Sequence, residues 1–339
     1  MLRRSRTLKS GKVWEAFYYN GRDASGKRIE IPLGSDLNEA KRRWAELECK
    51  AAPPETGLTR FIFDRYERDI IPAKAPATQR DNLGGLKFLR KVFDQAPIDS
   101  ITPQHVAQYR DQRGKAAPVR ANREITLLSH IFNMAREWGY TAKENPVKGV
   151  RKNKETPRDF YADDTIWKEV YGHACDELKD AMDLSYLTGQ RPGDVLKMRL
   201  TDIKDGALEV KQNKTAKKLR ILLEADGVRT ELGRLVDRIK GRERKVSSLF
   251  FIATRGGAPL NKWTLRTRFD DARAAAAKAI EAEKPELAAY IRSFQFRDIR
   301  PKAASETDLA HASKLLGHTD KRITQTVYRR VGETVMPTK

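Results

Sequence analysis

Leu315-Leu316-Gly317-His318, followed by Thr324-Gln325-Thr326-Val327-Tyr328-Arg329-Arg330, decides how the rest of this chain is read. One phenol stands among cations, ten residues after an imidazole, and no other tyrosine follows Tyr290. Taken alone, Tyr328 is equally a core aromatic and His318 equally a helix cap. Their meaning depends on the ionic residues upstream. Arg191 lies just after Gly189, at an apparent helix junction. Lys214 falls on the tip of a hairpin. Arg297 and Arg300 are three apart, on one side of a helix start. No carboxylate cluster with metal-ligand spacing accompanies them, and no glycine-rich phosphate loop. Cations, an imidazole and a phenol suit attack on a phosphodiester with neither metal nor cofactor. Two guanidiniums hold the non-bridging oxygens and offset the charge that builds in the transition state. They take the part that magnesium takes in other phosphoryl transfers. A tyrosine nucleophile conserves the bond energy in a covalent intermediate. Each residue alone has a plainer reading: a lone arginine as surface, Lys214 as a solubilising tip. The ordered combination carries the argument.

The bulk composition points the same way. The chain has 339 residues, with 67 Lys and Arg against 46 Asp and Glu, a formal net charge of +21. Such an excess favours a polyanionic partner and steers its encounter. Nucleic acid comes first; ribosomal or membrane-surface binding is the alternative on charge alone. Cys49 and Cys175 are far apart and define neither a zinc pattern nor a disulfide framework. They fit a reducing cytoplasm. The apolar runs are too short to span a membrane, and the basic start at Met1-Leu2-Arg3-Arg4 leads into no signal core.

Working outward, residues 13–19 and 27–33 alternate as strands around the turn formers of 20–26. Ser35 or Asp36 caps a helix through Ala40, Trp44 and Leu47. Trp14, Tyr18 and Trp44 read as a mini-core, which leaves the basic strand residues Lys27 and Arg28 as the DNA candidates. Residues 51–57 are a breaker cluster and a linker. Helical periodicity follows: Leu58 to Ile70, Leu83 to Phe93, a helix opened by Thr102-Pro103, and Ile125 to Ala135, closed by Asn145-Pro146. The connector from Val147 holds Lys148, Arg151, Lys152 and Lys154. Its composition suits a tether crossing phosphates or an ordinary exposed linker. Beyond it the pattern gives a helix capped by Asp163 or Asp164 and a helix over 181–187. Strands at 208–212 and 219–223 flank the turn 213–218. Helices follow over 230–244 and 270–282.

At this point the chain resembles the tyrosine recombinases, that is, phage integrases and their chromosomal relatives. Thr188-Gly189-Gln190-Arg191-Pro192-Gly193-Asp194 is similar to the family's T-G-x-R box with its acidic residue three on. Lys211-Gln212-Asn213-Lys214-Thr215 resembles the hairpin Q-x-K-T. Asp298-Ile299-Arg300 resembles the second arginine box, and Leu315-Leu316-Gly317-His318 matches L-L-G-H. Three departures stand out. The box-II histidine position falls on Arg297, the residue after Arg300 is Pro301 in place of histidine, and the His318–Tyr328 spacing is one longer than the commonest.

The resemblance implies an α+β protein, mainly α with small β elements. Residues 1–52 become an arm-site-type DNA-binding domain, a small three-stranded sheet plus helix. Residues 57–146 become a four-helix, SAM-like core-binding domain, 147–158 a basic linker, and 159–339 a mixed α/β catalytic domain. Tyr328 attacks the scissile phosphate and forms a 3′-phosphotyrosine. Lys214 protonates the leaving 5′-oxygen, Arg191 and Arg300 clamp the phosphate, and His318 supports them. Arg297 binds phosphate or assists proton transfer. The implied partners are double-stranded DNA attachment sites, a homotetramer on paired sites, and DNA-bending accessory proteins, in a bacterial cytoplasm at the nucleoid. Two alternatives stay open: a type IB topoisomerase, and a DNA-binding regulator with an inactive catalytic site.

Overall fold

The computed structural model describes residues 1–8, 10–22, 27–47, 57–242, 246–332 and 336–338, in two compact units, Met1–Thr156 and Pro157–Lys339. In the first unit β1 (Leu2–Thr7), β2 (Val13–Arg22) and β3 (Arg28–Gly34) form an antiparallel sheet in that order. Helix α1 (Leu37–Leu47) packs on it, started by Asp36, whose Oδ1 accepts the Glu39 N–H at 2.8 Å. Phe17, Leu33 and Ala40 make the small core, with Trp44 against it. Trp14 and Tyr18 do not join that core. Arg6 lies over the Trp14 ring at 5.1 Å and Arg4 over the Tyr18 ring at 4.9 Å, pairing cations with aromatics across β1 and β2. Strand β1 escapes the alternation rule because five of its six residues are exposed. Residues 23–26 of the expected turn, Cys49, and 51–56 of the expected linker lie outside the described residues.

Four helices follow, each at its periodic apolar segment: α2 (Thr59–Arg65, extended by a π turn Tyr66–Ile70), α3 (Pro76–Phe93), α4 (Pro103–Gly114) and α5 (Pro118–Glu137). Proline opens the last three, where its missing N–H and fixed φ are harmless. Thr102 and His105 cap α4 reciprocally. Ile62, Phe63, Leu89, Ile125, Ile131 and Phe132 fill the core. Two ion pairs, Asp36–Arg68 at 3.0 Å and Glu39–Arg65 at 3.3 Å, join α1 to these helices. The start of the basic connector rests on them too: Val147 and Val150 pack on the core, and Asn153 exchanges hydrogen bonds with Asn122.

The second unit holds α6 (Asp164–Gly172), α7 (Asp176–Thr188) and the short α8 (Pro192–Val195). A three-stranded antiparallel sheet follows, β4 (Ile203–Lys204), β5 (Ala207–Lys211) and β6 (Lys218–Leu222). Strands β7 (Glu224–Ala225) and β8 (Val228–Arg229) pair beside it. Then come α9 (Glu231–Lys240), α10 (Lys262–Ile280), α11 (Pro285–Ser293), α12 (Ile299–Ser305), α13 (Leu309–Leu316) and α14 (Lys321–Ile323). A π turn, Thr324–Tyr328, ends the described helical structure. The alanine-rich helix starts at Lys262, under an Asn261 cap, earlier than the alanine run suggests. The basic helix ends at Lys240, before the expected 244. Among the described residues no helix is long and apolar enough to cross a membrane, and no group of three His, Cys, Asp or Glu is placed for a metal.

Candidate active site

The site forms where two helix ends meet. Helix α7 ends at Gly189 (φ 62°) and α13 at Gly317 (φ 71°), both in the left-handed region where a Cβ is disfavoured. Space reinforces the choice. A Cβ on Gly189 would meet Leu316 Cδ1 at 3.0 Å, and one on Gly317 would meet Gln212 Nε2 at 2.8 Å. The turn after Gly189 delivers Arg191 at the head of α8, and the turn after Gly317 delivers His318.

Arg300 comes from α12 and is 3% exposed. Its Nη1 donates to the Gly189 carbonyl, and its Nη2 to the Leu316 carbonyl at 2.8 Å. Nη2 also faces His318 Nε2 at 3.2 Å. A guanidinium only donates, so Nε2 is the acceptor. The ring proton then sits on Nδ1 and is donated to Thr324 Oγ1 at 2.8 Å. Burial, with Arg300 and Arg191 nearby, pushes the His318 pKa down to about 4, so the ring is neutral at pH 7. Burial also lowers the Arg300 pKa, to about 10; the Tyr328 hydroxyl opposes this and Arg191 adds to it. The Tyr328 ring lies tilted against His318, with centroids 4.9 Å apart, and under Arg300, whose Cζ is 5.0 Å from the ring centre.

The structure therefore brings Arg191, Arg300, His318 and Tyr328 into one cluster. Arg191 Nη1 and Arg300 Nε are buried, and neither has a hydrogen-bond partner among the described residues. Two such donors, close enough to repel each other, fit an anion. Lys214 stands apart from this cluster, exposed on the turn between β5 and β6, with no hydrogen bond or ion pair of its own among the described residues. Arg297 is exposed in the turn before α12. Its neighbour Asp298 fixes that turn, accepting the Gln295 N–H at 2.9 Å and pairing with Arg158 at 2.7 Å. Lys148, Arg151, Lys152 and Lys154 are exposed in the other unit, as are Lys27 and Arg28; Arg28 also bonds Asn20 at 2.8 Å.

Three supporting roles escaped the sequence reading. Thr324 Oγ1 accepts the His318 Nδ1 proton at 2.8 Å. Buried Asp194 accepts the Asn213 N–H at 2.8 Å, tying the Arg191 loop to the hairpin. Buried Gln190 pairs with Gln212 at 2.8 Å. The available signal for Gln190 and Asp194 was position, since both are polar side chains within the glycine-containing box that holds Arg191.

Comparison with known proteins agrees with this geometry. The Phage integrase family matches residues 168–334, and the family's separate N-terminal domain matches residues 74–154. The integrases of Enterobacteria phage 434 and of Escherichia phage lambda are each 30% identical over 267 residues, covering 76% of this chain and 71% of theirs. A lambda integrase tetramer bound to a Holliday junction superposes with a TM-score of 0.67 at 25% identity, over 95% of each chain. These matches do not favour the topoisomerase or the inactive regulator. Motifs, geometry and relatives agree: this chain belongs to the phage integrase family and is a tyrosine-type site-specific DNA recombinase.

Proposed function

We propose that this recombinase integrates and excises a phage or mobile element at double-stranded DNA attachment sites, with Tyr328 as its nucleophile. The observation that carries the proposal is the pair of unpartnered guanidinium nitrogens, Arg191 Nη1 and Arg300 Nε, beside the Tyr328 ring. Tyr328 Oη attacks the scissile phosphorus and releases its proton to water. The P–O5′ bond breaks, its electron pair goes to O5′, and that oxygen takes a proton from the Lys214 ammonium. Arg191 and Arg300 hold the non-bridging oxygens. His318, neutral and accepting from Arg300, keeps that guanidinium aimed without adding a second charge. Arg297 has a lesser part, contacting phosphate from the exposed turn before α12. A partner strand's 5′-hydroxyl then reverses the reaction, and two rounds exchange the strands.

Under the same proposal residues 1–52 bind arm-type sites, partly through Lys27 and Arg28, and 57–146 hold the core site. The segment 147–158 contacts phosphates through Lys148, Arg151, Lys152 and Lys154, and 159–339 perform the chemistry. The working assembly is a homotetramer on paired sites, helped by DNA-bending proteins, in the bacterial cytoplasm. The lambda integrase tetramer on a Holliday junction supports the assembly. The test uses a nicked duplex that loses its 5′-hydroxyl fragment on cleavage. Wild-type protein should accumulate a covalent DNA adduct, and Tyr328→Phe should bind equally well and form none. An adduct from Tyr328→Phe would overturn the nucleophile assignment.

A further inference from the structure

The turn that carries Lys214 is not held by its strands alone. The β5–β6 ladder ends at Lys211 and Lys218. Beyond it, Gln212 N donates to the Lys217 carbonyl at 2.9 Å and Ala216, at φ 54°, turns the chain back. Ala216 N also donates to the Gln212 carbonyl at 3.0 Å, and the remaining anchors are side chains. Gln212, 1% exposed, gives its amide hydrogens to Gln190 Oε1 at 2.8 Å and to the Leu316 carbonyl at 2.9 Å. Its Oε1 accepts from Thr215 Oγ1 at 2.6 Å. Gln190 is fully buried and gives its own hydrogens to the Thr188 carbonyl at 2.8 Å and the Leu315 carbonyl at 2.9 Å. Two carbonyls facing Gln190 Nε2 fix the orientation of both amides. Next along, Asn213 is tied to Asp194 and to the Gly193 carbonyl.

Within 212–215, then, every residue but Lys214 is anchored by its side chain. The amide pair joins three segments far apart in sequence: the Arg191 loop, the hairpin, and the end of α13 that sets His318. A buried pair with all its hydrogens used has one geometry, and proton transfer is steeply sensitive to geometry. We propose that Gln212, with Gln190 as its partner, is a positioning residue that registers Lys214 against the phosphate clamp. This rests on the reading of Lys214 as the general acid. In that step Tyr328 Oη forms a bond to phosphorus and loses its proton to water. The P–O5′ bond breaks and O5′ takes the proton of Lys214.

The proposal makes a leaving-group-specific prediction. Replacing the scissile O5′ with sulfur gives a thiolate that leaves without a proton. With full-length protein and saturating DNA, Gln212→Met should cleave the ordinary duplex about tenfold more slowly than wild type. On the 5′-phosphorothiolate duplex it should come within about twofold of wild type. Thr215→Val, which removes only the bond to Gln212 Oε1, should show the same oxygen-only defect at about threefold. Equal slowing on both duplexes, or none on either, would overturn the positioning role. Lys214→Ala separates the two layers: if sulfur does not restore it, the general-acid reading fails and takes this inference with it. If sulfur restores Lys214→Ala but not Gln212→Met, only the inference fails.

Discussion

Arg300 and Lys302 lie two residues apart on α12, and each is 3% exposed. Burying either cation is unfavourable unless it is paired. Lys302 is paired in full. It reaches Asp164 at 2.8 Å and Glu306 at 2.5 Å, and the rings of Tyr161, Trp167 and Tyr186 surround its ammonium within 6.0 Å. Tyr161 and Tyr186 both donate to Glu306 at 2.6 Å, and burial together with that carboxylate raises both phenol pKa values. Arg300 has two backbone carbonyls and a neutral imidazole, and among the described residues no carboxylate bonds it. One site is neutralised from within the fold. The other is held in place but left positive, which in the proposed mechanism favours a bound phosphate. On the proposed mechanism, the contrast separates a structural cation from a phosphate-holding one on the same helix.

The largest expected effect is at Arg300 itself. Arg300→Ala should retain DNA binding and lose on the order of 3 kcal/mol of transition-state stabilisation, about a hundredfold in single-turnover cleavage. Near wild-type cleavage would remove Arg300 from the clamp. Lys302→Met should do the reverse. Stranding Glu306 beside two phenols should cost about 2–3 kcal/mol in denaturant unfolding, while cleavage at low temperature stays within about threefold. A loss of cleavage with unchanged stability would show that the two cations had been assigned the wrong way round.

The acceptor on Arg300 gives a pH signature. The folded His318 pKa is about 4, below the ordinary 6.5. Between those values the unfolded chain binds a proton at this ring that the folded chain does not. The His318 contribution is therefore fully present above pH 6.5, falls as pH drops through that window, and levels off below 4. His318→Gln should flatten that part of the stability–pH curve, and an unchanged curve would contradict the buried neutral ring. The smallest effect belongs to cations that are not buried at all. Lys152→Ala should weaken DNA binding slightly and lower the salt-dependence slope by about one, with cleavage at saturating DNA unchanged. An unchanged slope would leave Lys152 as ordinary solvated surface.

Much of this was legible in the sequence, for reasons that differ by region. The core-forming helices declared themselves because apolar residues recur at helical spacing and caps such as Thr102 and Asp163 mark their starts. Strand β1 was silent because its arginines face solvent, so no alternation exists to read. Arg191, Arg300, His318 and Tyr328 were legible as an ordered set of chemical types. What holds them was not. The Gln190–Gln212 pair spans 22 residues and the Arg300–Gly189 bond spans 111. Such contacts exist only once α7 and α13 end against each other. Part of the Lys302 pairing was invisible for the same reason: Glu306 is four residues on, but Asp164 lies 138 residues away.

Among the described residues Arg300 has no carboxylate partner, and on the proposed mechanism its charge is kept for the scissile phosphate. Replacing one non-bridging oxygen of that phosphate with methyl removes the charge. Cleavage rates of wild type and Arg300→Ala, measured on the ordinary and the methylphosphonate duplex, test this directly. The defect of about a hundredfold should shrink to about threefold on the neutral substrate. An equal defect on both duplexes would mean that Arg300 acts by holding the fold, and would contradict the claim.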